Sequence, residues 1–143
     1  MREKGVGFRG FFFKTVRYSA APVLMAVLWF LSSRPLDLPD LGPSGMDKVA
    51  HFIAYAILAF AMGLWARPER WQKTPVITVF LVILAAACYG AVDEVHQSFV
   101  PGRDPSFFDW IADSLGAAFG AFVCARGVKK LSDTPLYMLF LVL

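Results

Sequence analysis

The chain has 143 residues, of which 57% are hydrophobic and 17% charged, with a mean hydropathy of +0.56 and a formal net charge of +3. That balance excludes a small water-soluble globule and points to lipid as the solvent. The basic excess does not point to nucleic acid, because no basic stripe with interleaved aromatics lies outside the apolar segments.

A bilayer core of about 30 Å needs roughly 20 mainly apolar residues per helix. Four stretches come close, at about 18–33, 48–66, 75–97 and 107–126. They consume most of the chain and predict one all-α membrane domain over 1–143. The first stretch is short for a span, at about 24 Å if 16 residues are helical. Lys14 and Arg17 can snorkel, letting Phe11 to Phe13 lie in the interface. A signal peptide is the competing reading. It fits poorly, because WFLSSRPLDLP offers no small-x-small cleavage site and removal would leave an odd number of spans.

The second helix is expected to start at Ser44 to Asp47, after Gly42-Pro43, and to end before Arg67-Pro68. The third starts at Pro75, a residue suited to a first turn, and runs into DEVHQ before Pro101-Gly102 turns the chain. The fourth starts at Ser106 to Asp109. Small residues predict close helix packing at Ala85, Ala86, Ala87 and Gly90, and at Ala112, Gly116 and Gly120 with four-residue spacing. Cys88 and Cys124 fall at different depths on antiparallel helices and read as free thiols. The apolar tail 136–143 is too short to span.

Charge placement sets the expected orientation. With the N-terminus cytoplasmic, 11 of the 14 basic residues lie inside, leaving Arg34, Lys48 and Arg103 outside with eight of the 11 acids. The positive-inside rule then gives a four-helix transmembrane bundle with both termini cytoplasmic.

Three helix ends converge on the outer face. The second brings Asp47, Lys48, His51 and Tyr55, the third Asp93, Glu94, His96 and Gln97, and the fourth Asp109 and Asp113. Spacings of four place Asp47, His51 and Tyr55 on one face, and likewise Asp93 with Gln97 and Asp109 with Asp113. A plainer role exists for some of them. Ser44-x-x-Asp47 and Ser106-x-x-Asp109 match capping boxes, and both acids suit a helix N-terminus. Capping does not cover His51, Glu94 or Asp113, and an ionisable group within a span costs a few kcal/mol without a partner or water. A buried network that fixes helix register is one explanation. The other is a site in which Glu94 and His51 act as acid and base, while Asp47, Lys48, Tyr55, Asp93, Gln97, Arg103, Asp109 and Asp113 bind a ligand and Arg103 holds an anionic group. No local metal-ligand spacing exists, since His51 and His96 are 45 residues apart. No metal or cofactor is expected, and no nucleophile elbow or phosphate loop appears.

Asp47-Lys48-x-x-His51-Phe52-x-x-Tyr55-x-x-Leu58, followed by Tyr89-Gly90-x-x-Asp93-Glu94-x-x-Gln97-x-Phe99-x-Pro101-x-Arg103-x-x-Ser106-x-x-Asp109-x-x-Ala112-Asp113-x-x-Gly116, resembles the VanZ-like family of small integral membrane proteins. The resemblance spans roughly residues 32–120 and includes the Ser32-Ser33-x-Pro35 exit from the first helix. One departure is Asp113, where the family often has Asn. The family takes its name from a member associated with resistance to the glycopeptide teicoplanin, so the resemblance implies a bacterial inner-membrane protein of the cell envelope. The expected function is binding or modulation of an amphiphile, either a lipid-linked precursor or a lipoglycopeptide. Phe99, Phe107, Phe108 and Trp110 would contact its apolar part or anchor at the interface. The alternatives are an enzyme acting on a lipid headgroup and a purely structural polar network.

Overall fold

A computed structural model describes the backbone of residues 8–34 and 45–132, and side chains over 14–34 and 45–130. The described residues form helices α1 (Phe8–Ser32), α2 (Met46–Gly63), α3 (Pro68–Lys73), α4 (Pro75–Gln97) and α5 (Phe107–Ser132), with no strand among them. Four are long and apolar enough to cross a membrane, over Lys14–Ser32, Met46–Gly63, Pro75–Gln97 and Phe107–Lys130. The chain is an all-helical, multi-pass membrane protein.

These bounds extend the sequence reading at two places. α1 begins ten residues earlier than expected and carries Pro22 inside it, so its 25 residues measure about 37 Å and span without strain. The short α3 fills the connection expected to be a loop. Pro68 opens it at its first position, and Trp71 turns inward to donate from Nε1 to Gly63 O at 3.2 Å. α2 begins at Met46, within the Ser44 to Asp47 start expected, while Gly42 to Ser44 and the tail 136–143 lie outside the described residues.

The most extensive contact joins α2 to α5, which run parallel although α3 and α4 separate them in sequence. Glycine makes this possible. A methyl group at Gly116 would overlap the carbonyl oxygen of Phe52, and one at Gly120 that of Ala56. The predicted small-residue spacing on α5 is therefore used, backbone against backbone. α4 completes the core with Val82 and Ala86, which join Ala59, Trp71, Ala117, Ala121, Cys124 and Val128. Cys88 and Cys124 are both free thiols.

α1 lies at the periphery. Of its described side chains only Ala21 and Ser32 are fully buried. Ala21 joins Tyr55, Leu58 and Ala61 in a second, smaller cluster. Elsewhere the bundle presents apolar residues outward, including Val27 on α1, Ile57 on α2, Phe80 and Leu84 on α4 and Phe119 on α5, while Asp93, Gln97 and Asp113 are buried. A water-soluble protein has the opposite distribution.

Candidate functional site

The polar residues gather where α1 and α4 end and α2 and α5 begin. α4 overruns into a tight turn in which Arg103 N donates to Val100 O at 3.1 Å, with Gly102 at φ 80°. Pro101 and Gly102 occupy the two central positions, as a type II turn requires. The turn aims Arg103 back at α1, where Nε donates to Arg34 O at 2.9 Å and Nη2 to Leu31 O at 2.7 Å. Arg103 thus caps carbonyls at the end of α1, a role the sequence did not suggest, with its remaining guanidinium N–H groups outside these two bonds.

Two groups of side chains meet at His51. On one side, a cavity of about 200 Å³ is lined by Leu28, Leu31, Ser32, Ala50, His51, Ala54, Tyr55, Asp93, Gln97 and Arg103. Asp93 accepts from Ser32 Oγ at 2.6 Å and from Gln97 Nε2 at 3.0 Å, so neutral donors from α1 and α4 hold it. The Tyr55 ring is buried on the cavity wall, and its hydroxyl has no hydrogen-bond partner among the described residues. A buried hydroxyl without a partner is costly.

On the other side, His51 Nδ1 and Asp113 Oδ1 form a 2.9 Å hydrogen bond, with the Asp113 side chain 1% exposed. Gly90 makes room for this pair. A methyl there would lie 3.0 Å from Asp113 Oδ2 and 3.2 Å from Tyr55 Cε1. Glu94 and Asp109 complete the group, each offering one oxygen so that these and one His51 ring nitrogen lie within 4.8 Å of one another.

The capping boxes are not built as expected. The Ser106 amide donates to Glu94 Oε2 at 2.8 Å, so the acid that closes the start of α5 comes from α4 and not from Asp109. Asp109 Oδ1 instead lies 3.1 Å from Lys48 Nζ, an ionic contact that lacks hydrogen-bond geometry. Asp47 contacts Lys48 Nζ at 2.8 Å, is 55% exposed and stands at the rim. The N-cap of α2 is Gly45, with φ 118° and no side-chain cap, and Ser44 lies outside the described residues.

Eight of the other nine sequence-derived positions therefore share one polar layer with His51, and Asp47 borders it. His96 does not join them. It stacks on Trp29 with ring centroids 3.8 Å apart and shares a 2.9 Å hydrogen bond with Ser33 Oγ. Phe99, Phe107 and Phe108 are strongly exposed, as interface anchors would be, whereas Trp110 donates from Nε1 to Ala87 O at 3.0 Å and ties α5 to α4. Sequence reasoning gave no role to Ser32, Ser33 or Tyr89. The signal available was Ser32-Ser33 at the same depth as DEVHQ. Tyr89 sits four residues before Asp93, and its hydroxyl donates to Met25 O at 2.6 Å.

No curated protein and no solved structure matches the chain. The model of the VanZ/LLP1 family matches residues 8–129, which takes in all four long helices and the whole polar layer. The chain belongs to the VanZ/LLP1 family.

Proposed function

We propose that the protein is a bacterial inner-membrane component of the cell envelope whose polar end faces outward and takes the headgroup of an amphiphile from the outer leaflet. The charge asymmetry supports the orientation. The cavity carries the binding reading. Its lining combines Arg103, Gln97 and the Tyr55 hydroxyl with Leu28, Leu31, Ala50 and Ala54. Such a mixed lining suits a molecule whose polar end must be held while its chain stays in lipid.

At about 200 Å³ the cavity is smaller than sites for drug-sized ligands, which run from about 300 to 1,000 Å³. It therefore favours the headgroup of a lipid-linked precursor over a whole lipoglycopeptide such as teicoplanin. Arg103 offers its remaining N–H groups to an anionic headgroup, and the Tyr55 hydroxyl supplies one more polar contact.

The test is binding of a fluorescent polyprenyl-phosphate lipid to purified protein in detergent. Tyr55→Phe and Gln97→Leu should each weaken binding at least fivefold while folded yield is unchanged. Unchanged affinity in both contradicts the reading, and loss of folded protein in both supports a structural network. The His51–Asp113 pair favours a second reading, headgroup chemistry with Glu94 and His51 as acid and base. Turnover of the labelled lipid that Glu94→Gln abolishes would establish it.

A further inference from the structure

His51, Glu94 and Asp109 come from three helices and point their donor atoms into one space. One ring nitrogen and two carboxylate oxygens lie within 4.8 Å of one another. The His51 Nδ1 nitrogen is already held by Asp113 at 2.9 Å, which leaves Nε2 to coordinate. A histidine whose second nitrogen is fixed by a buried carboxylate is the arrangement that orients metal-ligating imidazoles and raises their basicity. Three protein ligands with a further position open is the pattern of catalytic zinc sites.

A second observation concerns charge. Asp93, Glu94, Asp109 and Asp113 place four carboxylates in one layer of a membrane bundle. Among the described residues the cationic or potentially cationic groups at that end of the bundle are shared or engaged elsewhere. Lys48 is shared with exposed Asp47, His51 bonds Asp113, His96 is held by Ser33 and Trp29, Arg34 lies over the Phe30 ring, and Arg103 is engaged with α1 carbonyls. Asp109 Oδ1 is buried with no hydrogen bond, and Glu94 accepts a single backbone N–H. Clustered carboxylates away from bulk water call for a compensating cation.

We infer that His51, Glu94 and Asp109 form a binding site for one divalent first-row transition cation, with Asp113 as the positioning residue behind His51. Imidazole with two carboxylates suits zinc or manganese. Ligands on one tetrahedral zinc stand about 3.4 Å apart, so the three side chains close inward by small rotations on binding. Lys48 then gives up Asp109 and keeps Asp47. The site is separate from the headgroup cavity and shares only His51 with it.

The experiment uses untagged full-length protein in detergent, stripped with a chelator and titrated with Zn²⁺ by calorimetry and with Mn²⁺ by electron paramagnetic resonance, with no lipid added. One equivalent should bind. Glu94→Gln keeps an acceptor for the Ser106 amide and so preserves the fold, yet it should weaken binding at least tenfold, as should Asp109→Asn. Asp113→Asn should weaken it by about 10- to 100-fold. Lys48→Met removes the competing cation and should tighten binding severalfold. Protein that elutes as a single folded species and binds less than one equivalent per chain, or binds equally well in Glu94→Gln and Asp109→Asn, overturns the site. Because no lipid is present, that failure leaves the headgroup reading untouched, and a failure of lipid binding leaves this one.

Discussion

The two seams of this bundle are built in different ways. Between α2 and α5 the backbones touch, with Gly116 against Phe52 and Gly120 against Ala56. Between α1 and the rest, a small apolar cluster around Ala21 is joined by a few polar side chains beside open space. Ser32 reaches Asp93, Tyr89 reaches Met25 O, Arg103 reaches Leu31 O and Arg34 O, and Arg17 donates to Leu64 O and Ala66 O at the opposite end. Cavities lie along this second seam, one lined by Leu28 and Leu31 and another by Met25. Close packing in lipid rests on dispersion and cannot rearrange cheaply. A seam closed by side-chain hydrogen bonds can open and close around a guest. The first seam holds the ionisable groups in register, and the second is where the proposed headgroup would reach them.

The largest effect should come from filling the tight seam. Gly120→Leu places a branched side chain where the Ala56 carbonyl stands, and no rotamer avoids it. Size-exclusion chromatography in detergent should recover no folded protein, whereas Gly127→Leu, in open space on the same helix, should behave as the parent protein. Next is the buried pair. Asp113→Leu leaves His51 without its partner and should cost about 3–5 kcal/mol, while Asp113→Asn keeps an acceptor and should cost much less. Thermal denaturation of the two variants separates these outcomes.

The α1 seam should yield more gently. Ser32→Ala removes one of two donors to buried Asp93 and should cost about 1–3 kcal/mol. Tyr89→Phe loses one hydrogen bond to Met25 O, whose residue remains within α1, and should cost about 1 kcal/mol. Both variants should raise hydrogen exchange at the end of α1 without altering exchange in α5. Equal changes in both helices would erase the difference between the seams.

Much of the fold was legible because its causes are local. Four apolar runs, Pro75 and Pro101-Gly102 marked the spans and turn, and the Gly116 and Gly120 spacing marked a packing face. The start of α1 was hidden by Lys14 and Arg17, which break the apolar run without breaking a helix, and α3 was hidden by its six-residue length. For the site, spacing by four grouped the right residues. It could not show which partner each would choose, since that depends on contacts between helices. Ser106-x-x-Asp109 matches a capping box, yet Glu94 from α4 receives the Ser106 amide. Arg103 looked free to bind an anion, and two of its nitrogens instead cap α1. The helix ends put both histidines in one layer, yet His96 turns to Trp29 while His51 turns to the acids.

The central claim, that the seam beside α1 admits the headgroup of an amphiphile, is tested most directly by photo-crosslinking in intact membranes. Leu31 and Phe30 are equally exposed neighbours at one depth, and only Leu31 lines the headgroup cavity. With a photoreactive residue at each position in turn, the account predicts that Leu31 captures a distinct anionic lipid, that Gln97→Leu abolishes this adduct, and that Phe30 captures bulk lipid. The same mixture of bulk lipids at both positions would contradict it.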